Sequence, residues 1–171
     1  PDGYLWLSAR GAKVIRVNPS TGAQVAVYNN NAGDLYDNAF NSANTNITYT
    51  SPFGGLTGCN NFRMGTFGLT LHPDFLNNGY IYLAYTYLNS GRISAKVKRI
   101  TVNVSTGAYI ANSATDIITN LPVGNDHEGL RMLALNRGGN PYLYVSVGDN
   151  GASERNTSTC FNPMLTTNPN Q

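Results

Sequence analysis

Three short stretches of this chain repeat one pattern, and that repetition restricts the fold more than any other feature. Each combines tyrosine with leucine, isoleucine or valine behind a Gly, Asn or Pro turn signal, and they occupy residues 4–8, 80–84 and 142–146. Short runs of aromatic and branched residues bounded by turn signals predict β-strands. The sequence therefore predicts one kind of strand used three times.

The second and third of these runs each have another strand before them. Residues 67–71 lead through a turn at 72–79 into Tyr80, and residues 130–135 lead through a turn at 136–141 into Tyr142. Each pair predicts a β-hairpin. A second repeat links residues 15–23 with 100–108, which share an apolar alternation that ends in Ser-Thr-Gly.

Repeats made of short antiparallel strands are typical of a β-propeller, in which each small sheet buries its faces by stacking on its neighbours. The 171 residues suit one domain, but they supply only a little over two sheets, and propellers close with about four to eight. We therefore expect residues 1–171 to be all-β and to form the N-terminal part of a larger propeller domain. A polar loop is expected at about 29–61, and no helix longer than one turn.

The ends of the sequence agree with that expectation. The chain begins at Pro1 rather than Met, as a processed product or a fragment would, and its periodic pattern stops after about residue 151. We expect the remaining blades to follow Gln171 or to come from a second polypeptide.

Charge and hydropathy argue against two classes of partner. The 11 lysines and arginines are scattered, the net charge is +2, and they form no basic stripe with interleaved aromatics, so a nucleic-acid partner is not predicted. No apolar run approaches the roughly 18 residues of a membrane-spanning helix, so no membrane span is predicted.

Asparagine and cysteine provide signals about the compartment. Sequons begin at Asn46, Asn103 and Asn156, although chance matches also arise in a chain so rich in asparagine. Cys59 and Cys160 would close a loop of about a hundred residues as a disulfide, worth roughly 4 to 5 kcal/mol in the chain-entropy model; two buried free thiols are the alternative. Together these features favour an extracellular, secreted protein.

The densest group of ionisable side chains lies at 125–131, and His127 is its best candidate for chemistry. An imidazole titrates near neutral pH and suits a general base. Asp149 follows the second strand of the 130–146 hairpin, so the hairpin predicts it at the same edge as His127, where its carboxylate would orient the ring. The alternative is a turn in which Asp126 caps backbone amides and His127 is merely exposed.

Other candidates have less support. Residues 72–75, His-Pro-Asp-Phe, predict a fixed turn in which Asp74 bonds neighbouring amides. Residues 148–151, Gly-Asp-Asn-Gly, form a polar turn whose oxygens suit calcium but which lacks the 12-residue calcium-loop pattern. The two histidines and scattered carboxylates show no zinc spacing, and no phosphate-loop or dinucleotide motif is present.

Taken in order, six segments resemble the soluble quinoprotein glucose dehydrogenase and sorbosone dehydrogenase family. They are residues 2–7, 13–18, 65–75, 78–82, 126–127 and 144–149, and together they extend the resemblance over nearly the whole chain. The resemblance implies a six-bladed propeller, of which this chain would hold roughly the first two to three blades. It also implies a cofactor, pyrroloquinoline quinone (PQQ) with calcium, and a sugar substrate oxidised at the anomeric carbon.

The resemblance assigns roles to individual residues. His127 matches the family's catalytic base, which removes the hydroxyl proton while hydride passes to the quinone, and Asp149 matches the carboxylate that supports this base. Asp126 matches a residue that lines the quinone pocket, and Arg131 keeps the spacing of a family arginine from the histidine. The calcium ligands and most quinone-binding residues of the family would lie beyond Gln171.

Two residues depart from the family pattern, and the first of them, together with the blades expected beyond Gln171, leaves a second function open. Arg63 stands where glucose-oxidising members have glutamine, so that its cation would either pair with a quinone carboxylate or mark a site for a different substrate. Leu130 replaces a glycine of the family. The alternative function is a non-catalytic propeller of the same superfamily, resembling Hedgehog-interacting-type proteins, that binds a carbohydrate or a protein partner through the same end.

Overall fold

The structure is a computed structural model and describes residues 1–9, 13–29, 66–89, 92–121 and 130–148. These residues form three antiparallel sheets and one helical turn. Sheet 1 contains β1 (Leu5–Ala9), β2 (Lys13–Val17) and β3 (Gln24–Asn29). Sheet 2 contains β4 (Thr66–Leu71), β5 (Tyr80–Asn89), β6 (Arg92–Thr101) and β7 (Thr115–Leu121), and sheet 3 contains β8 (Leu130–Arg137) and β9 (Asn140–Val147).

The strands agree with the repeats in the sequence. The three tyrosine-containing runs are β1, β5 and β9, and the two predicted hairpins are the antiparallel pairs β4–β5 and β8–β9. Strands β8 and β9 are longer than predicted, because their turn contains only Gly138 and Gly139, with φ of 59° and 82°. Positive φ at both central residues is what a two-residue hairpin of this twist requires, and glycine adopts it without strain.

The two Ser-Thr-Gly turns, at 18–23 and 103–108, have the same hydrogen bonds. In each, the N–H of the leading asparagine donates to the carbonyl of the closing alanine, at 2.9 and 2.8 Å. The asparagine Oδ1 accepts two backbone N–H groups in both turns. Each glycine has a positive φ, 70° at Gly22 and 76° at Gly107. The second sequence repeat is therefore a structural repeat as well.

The single helical element among the described residues is α1 (Phe75–Asn78), one turn long, inside the predicted 72–79 turn. Gly79 ends it with φ 65° and donates its N–H to the Phe75 carbonyl at 2.8 Å. Phe75 is fully buried and meets Trp6 of β1 edge to face at 5.4 Å between ring centroids. The turn that joins β4 to β5 therefore also anchors sheet 1.

Sheet 2 lies between the other two sheets, and β5 contributes to both interfaces because its side chains alternate. One face carries Ile81, Leu83, Tyr85 and Tyr87, which form one cluster with Val14 of sheet 1. Ala84 on the opposite face belongs to a second cluster with Ala95, Val97 and Leu130, the last from sheet 3. Two separate cores thus hold three sheets in a row.

Both outer faces of this row carry exposed apolar side chains. On sheet 1, the cross-strand pairs Leu5↔Val17 and Leu7↔Ile15 share the face turned away from sheet 2, with Leu5 53% and Leu7 49% exposed. On sheet 3, Leu133 pairs with Tyr144 on the outer face, and they are 55% and 44% exposed. Exposed apolar side chains that share one face of a sheet are typical of interaction surfaces.

Three predictions from the sequence can be compared with this fold: a polar loop, no helix longer than one turn and no membrane span. The polar loop at 29–61 falls between the end of β3 and the start of β4, and beyond Asn29 it lies outside the described residues. The described segments contain no helix longer than α1, in agreement with the sequence. None of their helices has the length and apolar character needed to cross a membrane.

Candidate functional site

The predicted catalytic residues flank the β8–β9 hairpin. Leu130 pairs with Val147 at the open end of this hairpin; His127 lies three residues before the first, and Asp149 two residues after the second. The chain therefore enters and leaves the hairpin at one end, and that premise of the sequence argument is confirmed. His127 and Asp149 themselves lie outside the described residues, so their contact stays a prediction.

Leu130 fixes this end of the hairpin to sheet 2. Its side chain is 2% exposed and belongs to the cluster that contains Ala84, Ala95 and Val97. Burying a leucine stabilises a fold by about 2 kcal/mol, which here holds the start of β8 against the central sheet. The residue that departs from the family's glycine is thus a core residue in this chain.

Arg131 projects from the opposite face of β8. It pairs with Ser146 across the hairpin, is exposed, and lies on the outer face with Leu133 and Tyr144. Within the part of the chain that the structure describes, Arg131 has no ion pair. Its side chain is therefore exposed on the outer face of sheet 3.

The other residues predicted for function or processing are not among those that the structure describes. They are Arg63, Asp126, the cysteines Cys59 and Cys160, and the sequons at Asn46 and Asn156. Their roles remain predictions. No group of three or more His, Cys, Asp or Glu side chains suited to a metal occurs among the residues that the structure describes.

The third sequon, Asn103, lies in the 103–108 turn. Its Oδ1 accepts the backbone N–H groups of Ser105 and Thr106, both at 3.0 Å, and the residue is exposed. The carbonyl oxygen of the side chain is therefore committed to the turn, while the amide nitrogen that a glycan would occupy makes no hydrogen bond in the described segments. The turn is compatible with modification.

His72 takes part in the hydrogen bonds that fix the 72–79 turn, as its motif predicted. Its Nδ1 accepts the backbone N–H of Asp74 at 3.0 Å and lies 2.8 Å from Nδ2 of Asn78. Because Nδ1 accepts, the proton of the neutral ring is on Nε2. The Asp74 carboxylate accepts a hydrogen bond from the side-chain amide of Asn77, but it does not cap the backbone of α1. The prediction that Asp74 bonds neighbouring amides is therefore confirmed for this side-chain amide.

The structure also contains a buried ion pair that the sequence did not reveal. Arg16 donates to Asp2 at 3.0 Å, and its guanidinium lies 3.6 Å from the centre of the Tyr4 ring. Burial raises the pKa of Asp2, but hydrogen bonds from Trp6, Tyr4 and Arg16, together with the Arg16 charge, outweigh it and hold that pKa below its usual value. The sequence signal was an Asp-Gly-Tyr turn followed by an arginine in the next strand.

Arg99 makes a similar stack in sheet 2. Its guanidinium lies 4.2 Å from the centre of the Tyr80 ring, and it pairs across the strands with Tyr82. Burial raises the pKa of the Tyr82 hydroxyl, while the Arg99 charge lowers it and Tyr80 raises it further. The Nε atom of Arg99 is buried without a hydrogen bond.

Small antiparallel sheets stacked face to face, with two separate cores between them, define a protein of the β-propeller type. The sequence model of the Glucose / Sorbosone dehydrogenase family matches residues 26–162. The chain belongs to that family, as the sequence resemblance predicted.

Two known proteins extend this comparison. The chain is similar to quinoprotein glucose dehydrogenase B of Acinetobacter calcoaceticus, with 28% identity over 161 residues, which is 90% of this chain and 28% of that protein. Its fold is similar to the PQQ-bound form of an aldose sugar dehydrogenase from Streptomyces coelicolor, with a TM-score of 0.56 and 18% identity over 88% of this chain and 36% of that one. The chain thus spans about a third of the length of these relatives.

Proposed function

We propose that the complete protein is a secreted, PQQ-dependent sugar dehydrogenase that oxidises the anomeric carbon of an aldose. The observation that carries this proposal is the family match over residues 26–162, which includes the β8–β9 hairpin with His127 before it and Asp149 after it. The relatives support the substrate and the cofactor through their names: a quinoprotein glucose dehydrogenase and a PQQ-bound aldose sugar dehydrogenase.

In this proposal His127 is the general base. Its imidazole accepts the proton of the anomeric hydroxyl, and the Asp149 carboxylate accepts a hydrogen bond from the other ring nitrogen and stabilises the charged ring. Without a fixed tautomer the ring would present its proton rather than its lone pair to the sugar. The antiparallel register at Leu130↔Val147 supports this pairing because it brings both flanking segments to one end.

PQQ, when bound, supplies the acceptor for the hydride. It carries carboxylates, and an exposed guanidinium without an ion pair in the described segments, as Arg131 has, fits a carboxylate through paired N–H donors. Arg63 would add a second cation, and Asp126 would line the same pocket. Calcium would be held by oxygen ligands from residues beyond this chain.

The proposal includes a ring of six sheets. The open apolar faces of sheets 1 and 3, which carry Leu5 and Leu7 on one side and Leu133 and Tyr144 on the other, support it. Sheet 2, by contrast, packs an apolar face against a neighbouring sheet on each of its two sides. Further blades, in the same polypeptide or a second one, would cover both.

A reconstitution assay tests the proposal. The intact protein is loaded with PQQ and calcium and supplied with aldoses, and reduction of an electron-accepting dye is followed together with the quinone absorbance. Sugar-dependent dye reduction is the expected result. If neither dye reduction nor a change in quinone absorbance follows any aldose, the enzyme assignment is wrong and the non-catalytic, carbohydrate- or protein-binding propeller replaces it.

A further inference from the structure

Arg16 and Arg99 occupy matching positions in neighbouring sheets. Arg16 pairs with the aromatic residue Trp6 across β1 and β2, and Arg99 pairs with the aromatic residue Tyr82 across β5 and β6. Each guanidinium lies over the tyrosine two residues before that aromatic, at 3.6 Å from Tyr4 and 4.2 Å from Tyr80. The two sheets thus repeat one arginine–tyrosine stack.

The backbone leading into each stack is also the same. Gly3 and Gly79 precede the two tyrosines with φ of 79° and 65°. One residue earlier, Oδ1 of Asp2 accepts the N–H of Tyr4 at 3.2 Å, and Oδ1 of Asn78 accepts the N–H of Tyr80 at 2.9 Å. Asp2 and Asn78 are therefore structural equivalents.

The difference between the stacks is one charge. Asp2 is a carboxylate and neutralises Arg16, whereas Asn78 is a neutral amide whose Nδ2 lies 2.8 Å from Nδ1 of His72. Asp74, the acid of the same turn, bonds the Asn77 side chain. Among the residues that the structure describes, no carboxylate pairs with Arg99, although that side chain keeps partial exposure.

We propose that Arg99, with Tyr80 and Tyr82 beside it, is a binding site for a carboxylate-bearing ligand. The Asp2–Arg16 pair shows what such a site accepts, because it holds a planar carboxylate against the same stacked guanidinium. Guanidinium prefers carboxylate for its matched pair of N–H donors. Partial burial strengthens the attraction relative to bulk water.

This site uses none of the residues proposed for catalysis. It lies at the turn end of the β4–β5 hairpin, beside residues 72–79. Failure of the dehydrogenase proposal would leave this site unaffected. The ligand is either a simple organic acid or an acidic sugar, and both present the same carboxylate.

The test is a titration of the intact protein, labelled with ¹⁵N, with acetate, glucuronate and, as the neutral control, glucose. The Nε–H resonance of Arg99 reports the site directly in wild type, and the backbone N–H resonance of Tyr80, whose ring stacks on Arg99, reports it in every variant. Acetate and glucuronate are expected to shift both resonances in a saturable way and glucose is not. Equal affinities for the two acids identify the carboxylate alone as the ligand, and tighter binding of glucuronate identifies an acidic sugar.

Two variants test the site, one by removing its cation and the other by supplying a carboxylate that competes with the ligand. Arg99→Gln removes the cation, and Asn78→Asp supplies an internal carboxylate at the position of Asp2; both are expected to weaken binding about tenfold or more, since each removes a charge-assisted pair. Arg137→Gln, at the exposed arginine that ends β8, is the matched control and should leave the affinity unchanged. Absence of saturable binding to wild type, or equal affinities in wild type and both site variants, overturns the proposal.

Discussion

Nη2 of Arg16 lies 3.0 Å from Oδ2 of Asp2, and the two side chains are only 8% and 5% exposed. Arg16 also approaches the carbonyls of Val104 and Ser105 at 3.5 Å, in the turn that follows β6. One ion pair therefore holds the start of sheet 1 and clamps it to sheet 2.

Asp2→Asn should lower the free energy of unfolding by about 3 kcal/mol at pH 7, because it leaves the Arg16 charge buried without a partner. The pKa of Asp2 is lowered in the folded state, so its contribution is present above the ordinary carboxyl pKa and is lost as the pH falls through the folded-state value. Urea unfolding at neutral and acidic pH measures this. The difference in the free energy of unfolding between wild type and the variant should shrink on acidification, and a constant difference contradicts the assignment. Asp74→Asn, in an exposed turn, serves as the control.

The two Ser-Thr-Gly turns offer a matched pair of glycines. Gly22→Ala meets nothing within 4 Å of the new Cβ, so its effect is the strain of positive φ alone, about 1 kcal/mol. Gly107→Ala has the same φ strain, but its Cβ would lie 2.6 Å from Cδ of Arg16, a side chain that Asp2 holds in position. We expect Gly107→Ala to lose at least about 1 kcal/mol more in chemical denaturation. Equal losses would mean that the 103–108 turn does not press on sheet 1.

His127→Ala should abolish sugar-dependent dye reduction by the PQQ-loaded protein while leaving quinone binding largely intact, since the base is removed but not the cofactor pocket. Asp149→Asn should reduce kcat by weakening the orientation of the ring. Steady-state kinetics and quinone absorbance separate the two effects. Asp74→Asn, the same chemical change in an exposed turn, should have no effect; normal turnover in both site variants would refute the roles of His127 and Asp149.

Asn103 should carry a glycan when the protein is secreted by a eukaryotic host, because the residue is exposed and its Oδ1 is already bonded to backbone N–H groups of the turn. The matching turn has Asn18-Pro19-Ser20, which the proline excludes as a sequon. Pro19→Val therefore creates an equivalent acceptor. Glycosidase treatment and mass measurement should find glycan on Asn103 in wild type and an added one on Asn18 in the variant, and an unmodified Asn103 would contradict the expectation.

Local patterns predicted most of the fold that the structure describes. The tyrosine runs, the two hairpins and the repeated turns depend on residues close in sequence, and all appear as strands and turns in the structure. The Arg16–Arg99 equivalence could not be found that way: the turns align Arg16 with Thr101, whereas strand register aligns it with Arg99. A shift of two residues keeps the face of a strand but changes its partners.

For the candidate site, too, local patterns predicted one part and packing between sheets determines the other. The hairpin that brings the segments before Leu130 and after Val147 together follows from alternation and a Gly-Gly turn, so it was predictable. The open position of Arg131 and the burial of Leu130 depend on packing against sheet 2, and no pattern within β8 specifies which face meets a neighbour. The identity of the base rests on family membership.

The contacts of Arg16 with Asp2 and with the 103–108 turn, called the clamp below, have a consequence for the order of folding. Hairpins within each sheet join strands that are close in sequence and form fast, whereas a contact that spans a long loop requires much more chain entropy to be lost first. Arg16 reaches Ser105 across 89 residues, after β4, β5 and β6 have been added to the chain. Sheets 1 and 2 are therefore expected to acquire their hairpins independently and to lock together late, so that mutations at the clamp speed unfolding more than they slow folding.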